Sequence, residues 1–93
     1  SYANRLLVMY VAESGEDRNR IGISVSKKVG NSVVRHHITR LIREIFRLND
    51  HRLKTGLNII VVARVAAKTS EYKDLEGAYM HLCGLHHILK ESK

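Results

Sequence analysis

Hydrophobic and polar positions change period from one segment of the chain to the next, and each change marks an element. Leu6 to Ala12 is a compact apolar run that gives way to Glu13-Ser14-Gly15-Glu16-Asp17, so it predicts a strand and then a hairpin loop. Arg20 to Val29 alternates, with Ile21, Ile23 and Val25 on one side and Gly22, Ser24 and Ser26 on the other. That is a second strand, and its small residues would let another backbone, a helix or an RNA strand come close. From Val34 the period shifts to 3.6, with Ile38, Leu41, Ile42, Ile45, Phe46 and Leu48 gathering on one face of a helix. A polar exit, Asn49 to Gly56, leads to Leu57 to Ala67, which is nearly continuously apolar and β-branched at its centre. This reads as a central strand buried on both faces. Leu75, Ala78, Leu82, Leu85 and Leu89 then recur at helical spacing, with Ser70 or Thr69 as the cap. The order is β-β-α-β-α, an α+β chain whose two helices leave the cover of the sheet incomplete.

The opposite face of the first helix changes the picture. A rotation of 100° per residue places His36, Arg40, Arg43 and Arg47 across from the apolar sector, Arg35 and Thr39 along its border, and His37 beside Glu44. The helix start is marked by Gly30, read as a positive-φ position, and by Asn31 or Ser32 as the cap. Lys27 and Lys28 lead into that terminus, whose unpaired amides attract anions. A charged helix face is ordinarily just solvated, but such faces mix both signs. Between Arg18 and Lys54 ten Lys and Arg face only Glu44 and Asp50, so this segment holds the entire net charge of +7. Clustered arginine in a chain of pI near 9.9 is the electrostatic footprint of a nucleic-acid binder. A membrane surface is the weaker partner, because the apolar sector of this helix is needed for the core.

Ninety-three residues bound the rest to one domain, 1–93, with a single modest core, and one Phe and no Trp make that core aliphatic. A lone cysteine, Cys83, excludes an internal disulfide framework and fits a reducing, cytoplasmic setting. No apolar run is long enough to cross a bilayer as a helix. The sequence opens on Ser1 rather than Met, and an N-terminally truncated domain is expected.

Chemistry of the chain's own is not encoded in any constellation. His81, Cys83 and His87 diverge around a helix, and Cys83 with His86 or His87 supplies only two ligands, too few to close a zinc site. The adjacent His36 and His37 also diverge. The acids Glu13, Glu16 and Asp17 belong to a loop, and Asp74 and Glu76 leave their helix on different sides, so no paired carboxylates gather for a nuclease. Catalytic residues and protein-bound cofactors are therefore assigned to none. Tyr2 and Tyr10 offer rings on which unpaired bases can stack, Tyr10 being the better placed.

The run Arg20-Ile21-Gly22-Ile23-Ser24-Val25-Ser26-Lys27-Lys28-Val29-Gly30-Asn31, followed by Arg35, Arg40, Arg43 and Glu44, closely resembles the protein subunit of bacterial ribonuclease P. Tyr2-Ala3-Asn4-Arg5 and Ile59 to Ala67 fit the same family. The resemblance implies a holoenzyme in which a large catalytic RNA, using magnesium ions, hydrolyses precursor tRNA at the 5′ end of the mature sequence. It implies RNA contacts for Lys27, Lys28, Asn31, Arg35, Arg40 and Arg43 and a leader contact for Tyr10; the basic helix face adds His36, His37 and Arg47 to the expected RNA-binding set, and Val8 is expected beside Tyr10 at the leader. The implied fold is a two-layer α+β sandwich with a left-handed βαβ crossover, and the family's N-terminal helix and short strand would precede Ser1. Without them the sheet keeps an uncovered face through which the chain could dimerise. Where the family shows Arg-Asn-Arg and then Ile-Lys-Arg, this chain has Arg35-His36-His37 and then Ile38-Thr39-Arg40, so weaker phosphate binding at neutral pH is expected. A ribosomal or general RNA-binding module of the same fold, without a role in tRNA cleavage, is the alternative.

Overall fold

The strand richest in β-branched residues takes a central place in the sheet. A computed structural model describes residues 1–90 of the chain. It contains β1 (Tyr2–Ala3), β2 (Leu7–Glu13), β3 (Arg20–Val25), α1 (Ser32–Asn49), β4 (Leu57–Ala63) and α2 (Tyr72–Leu85), with 3-10 turns at Asp50–Arg52 and Val65–Thr69. The sheet order is β1-β2-β4-β3. β4 pairs antiparallel with β2, Leu7 opposite Ala63 and Glu13 opposite Leu57, and parallel with β3, Arg20 opposite Asn58 and Val25 opposite Ala63. β3, α1 and β4 thus form the expected βαβ unit.

Three expectations need correction here. The loop after β2 does not close a hairpin, because β4 inserts between β2 and β3 and takes the hydrogen bonds of both. Nor is β4 buried on both faces: Leu57, Ile59, Val61 and Ala63 are buried while Asn58 and Ile60 are exposed, so its apolar run serves one core and one open face. Residues Val65–Thr69 leave the strand as a 3-10 turn. The chain also supplies a short strand of its own, β1, which pairs Tyr2 with Met9 and Ala3 with Val8. Two residues carry no readable period, which is why the order β-β-α-β-α omits it.

Both helices pack on the same side of the sheet, α1 against β3 and α2 against β1 and β2. Between the layers lie Leu7, Met9, Ile59 and Val61 from the sheet, Ile38, Ile42 and Ile45 from α1, and Leu75, Tyr79, Leu82 and Cys83 from α2. Each fully buried aliphatic side chain contributes about 1.5–3 kcal/mol relative to exposure, so this layer fixes where α1 sits. Leu48, placed by periodicity in the apolar sector, is about half exposed near the end of α1, where the core no longer reaches. α2 is capped by Glu71 rather than Ser70 or Thr69: Glu71 and Asp74 form a capping box, while the Ser70 hydroxyl donates to the Ala67 carbonyl. It ends in a Schellman motif, with His87 N–H on Gly84 O, Ile88 N–H on Cys83 O, and His87 at φ 57°. Leu89 therefore lies beyond the helix and bridges to Leu53.

Candidate nucleic-acid interface

The approach to α1 is built by a short turn. Val29 N–H donates to Ser26 O, and Val29 is buried, so Lys27 and Lys28 are pushed outward at the tip. Gly30 is not at positive φ, contrary to the sequence reading. It is needed for close approach, since a Cβ there would lie 2.8 Å from Cβ and Cγ1 of Val34. Asn31 is the cap, its side chain accepting the Val34 N–H at 3.0 Å. Lys27, Lys28 and the first-turn amides of α1 thus share one corner of the molecule.

Beyond that corner the row divides. His36, His37, Arg40, Arg43 and Arg47 are exposed, whereas Arg35 is half-buried and its Nε is buried without a hydrogen-bond partner among the described residues. Thr39 is half-buried and donates its hydroxyl to the Arg35 carbonyl at 2.9 Å, so it is turned back onto the helix. His37, Arg40, Leu41, Arg43, Glu44 and Arg47 line a groove of about 470 Å³. Within it Arg47 donates Nε and Nη2 to the two carboxylate oxygens of Glu44, at 2.7 and 2.9 Å. These bonds hold the Glu44 carboxyl below its usual range. Among the described residues only Arg20, paired with Glu16, has another such partner, so Lys27, Lys28, Arg35, Arg40 and Arg43 remain un-neutralised. Unpaired surface cations of one sign are the arrangement a phosphate backbone neutralises.

On the side of the sheet away from the helices lies a second surface. The register places Val8 beside Val62 and Ser24, and Tyr10 beside Ile60 and Gly22. Tyr10 and Ile60 are each nearly half exposed, and Val8 is half-buried. Gly22, Ser24, Ile60 and Val62 join this surface; the alternation of β3 signals the first two, while the continuous apolar run of β4 carries no such signal for Ile60 and Val62. Tyr2 is not on this surface. It pairs with Met9, pointing to the helix side, and meets the His86 ring edge-on with centroids 4.8 Å apart. His86 Nε2 lies 2.9 Å from the Met9 carbonyl oxygen and His81 Nδ1 3.2 Å from Asn4 Nδ2, so these imidazoles tie α2 to the first strands. The other residue missed by pattern is Arg64, which donates to the Asn4 carbonyl and lines, with Arg5, a hollow of about 400 Å³.

Cys83 is fully buried, and burial pushes its thiol up to about 11. Among the described residues no three His, Cys, Asp or Glu side chains converge as a metal site would require. Among the described residues no helix is long and apolar enough to cross a membrane.

A basic helix face and a tyrosine-bearing sheet face thus share one α+β scaffold, and that scaffold can be compared with known proteins. The family model for ribonuclease P matches residues 1–86. The chain belongs to the ribonuclease P protein family. The ribonuclease P protein component of Lachnoclostridium phytofermentans is 55% identical over 93 residues, covering 100% of this chain and 80% of the relative. That of Alkaliphilus metalliredigens is 49% identical over 82 residues, 88% of this chain and 74% of the relative. Among solved structures, the Staphylococcus aureus RNase P protein superposes with a TM-score of 0.86 at 36% identity, covering 96% of this chain and 82% of that one. The Thermotoga maritima RNase P protein gives 0.82 at 27% identity, covering 88% and 78%. The α+β sheet with two helices is thus the ribonuclease P protein fold.

Proposed function

We propose that this chain works as the protein subunit of ribonuclease P by gripping RNA on two surfaces. The turn at Lys27 and Lys28, the Asn31 cap and the α1 face of Arg35, His36, His37, Arg40, Arg43 and Arg47 engage the catalytic RNA. The open sheet face, with Tyr10 and Val8, receives the 5′ leader of precursor tRNA. The observation that carries this reading is that Arg35, Arg40 and Arg43 have no acidic partner among the described residues, on a helix whose other face is locked into the core. Such cations release condensed counterions when they meet phosphates, and they keep their position because the core holds their backbone. The histidines contribute donors and ring faces, and Thr39 contributes none, its hydroxyl being spent on the Arg35 carbonyl.

In this reading the protein positions and the RNA reacts. Magnesium held by the RNA supplies the activation of water and the stabilisation of the leaving oxygen. Tyr10 and Ile60 offer unpaired leader bases an apolar surface, while Gly22 and Ser24 lower the wall beside it so that a backbone can lie close. The whole of 1–93 acts as one RNA-binding domain in the cytoplasm, where precursor tRNA is processed. The same open sheet face would pair two copies when no RNA covers it.

Reconstitution tests the assignment: precursor-tRNA cleavage is measured with RNA subunit alone, protein alone, and both, at low magnesium. Stimulation only by the combination is expected. Binding without stimulation would instead identify a general RNA-binding module, and cleavage by protein alone would place the chemistry in the chain. Sedimentation with and without RNA checks the dimer, which RNA should dissolve.

A further inference from the structure

Two arginines of the α1 groove, Arg40 and Arg43, lack acidic partners among the described residues, but Arg47 has one. Its guanidinium is bonded edge-on to Glu44 through Nε and Nη2, at 2.7 and 2.9 Å, and the Arg47 side chain is still 67% exposed. The pair is electrically neutral at neutral pH and has two of its five donors occupied, so it is a poor phosphate clamp. A carboxylate at this place also repels phosphate. What the pairing does provide is a flat cation held in one plane, with Leu41, half-buried, as an apolar neighbour in the same groove. Guanidinium planes are surfaces on which unpaired bases stack, and holding the plane beforehand lowers the ordering cost. Arg43 and Arg40 lie four and seven positions before Arg47 along the same groove, within roughly 10 Å of helix axis.

We infer that the Glu44–Arg47 pair is a base-stacking platform: it receives the ring of one unpaired nucleotide of the catalytic RNA over Leu41, while Arg40 and Arg43 hold the flanking phosphates. This rests on the reading of α1 as the RNA face. It separates that face by function, with bases read at the Glu44 end and charge neutralised toward the N-terminus.

The test is the salt dependence of binding. Fluorescence anisotropy of the labelled catalytic RNA subunit is followed over a potassium chloride series with the full chain and its variants. Arg40→Ala should flatten the slope of log K against log salt by about 0.7, the value for one lost phosphate contact on a single strand. Removing the pair together, Arg47→Ala with Glu44→Gln, leaves the charge of the site unchanged and should weaken binding roughly 5- to 150-fold, the span of one lost base stack, at an unchanged slope. Arg47→Lys keeps the charge but not the plane and should not reach native affinity. Glu44→Gln frees the guanidinium to reach phosphate and should steepen the slope by about 0.7. A double-variant slope that flattens like that of Arg40→Ala, native affinity in Arg47→Lys, or an unmoved slope in Glu44→Gln would each overturn the platform and leave the RNA face standing. An Arg40→Ala slope equal to that of the native chain would overturn the RNA face itself, and the platform with it.

Discussion

Replacing Gly30 by alanine probes the joint between the lysine turn and the arginine helix. The added Cβ would stand 2.8 Å from both Cβ and Cγ1 of Val34 and 3.3 Å from its Cγ2. Carbon atoms rest about 3.5–4.0 Å apart, so something must yield by roughly 0.7 Å. Val34 cannot yield by changing rotamer, because its Cβ is fixed by the helix backbone and β-branched side chains in helices keep one χ1 well. The displacement must pass into the turn between Val29, anchored in the core, and the Asn31 cap. Overpacking of this kind costs about 1–3 kcal/mol. The loss of unfolded-chain entropy on Gly→Ala returns about 0.4–1 kcal/mol, leaving a net destabilisation of about 1–2 kcal/mol. For a domain of this size that lowers the melting temperature by about 4–16 °C. Urea denaturation is the assay, with the midpoint expected to fall at an unchanged m-value. Gly77→Ala in α2 is the control: a Cβ there meets nothing within 4 Å, so helix propensity alone should raise stability by about 0.5–1 kcal/mol. A Gly30→Ala protein as stable as the native chain, or as stabilised as Gly77→Ala, would refute the close-approach account of this glycine.

Other consequences can be measured directly. Tyr10→Ala should weaken binding of single-stranded leader RNA by about 1–3 kcal/mol while Tyr10→Phe keeps it, as read by anisotropy, because the ring and not the hydroxyl meets the base. Equal loss in both variants would contradict stacking. Asn31→Ala removes the oxygen that accepts the Val34 N–H and should cost about 1 kcal/mol in urea melts, with parallel fraying of the first turn seen by amide exchange. The Cys83 thiol has an ordinary value of 9.0 and is pushed up to about 11 by burial, so the unfolded chain loses this proton first as pH rises. The stability it contributes is complete below pH 9 and declines as pH rises toward 11, and Cys83→Ala should flatten that part of the alkaline melting curve. Folded protein should correspondingly resist thiol reagents at neutral pH, and rapid labelling would show that the α2 core opens.

Much of this protein was legible along the chain because its information is local. The 3.6 period of α1 placed Ile38, Ile42 and Ile45 inward and Arg40, Arg43 and Arg47 outward, since one backbone geometry decides both faces at once. Asn31 as cap follows from its side-chain oxygen alone, and Tyr10 was singled out although its strand-mates hid which face it would take. Leu57 to Ala67 shows the limit. Hydrophobicity gave a buried central strand, but only the sheet order, with β4 between β2 and β3 and both helices on one side, decided that Ile60 and Val62 face outward beside Tyr10. Strand order depends on contacts between segments about forty residues apart, which no local period encodes. The same holds for Gly30, whose role comes from the distance to Val34 rather than from its own torsion, and for Tyr2, drawn to the helix side by pairing with Met9 and contact with His86. Charge, period and caps were therefore fixed by the order of residues. Which cations stay free, which is neutralised by Glu44, and which apolar face stays open were decided by packing, because each depends on what the folded chain brings alongside.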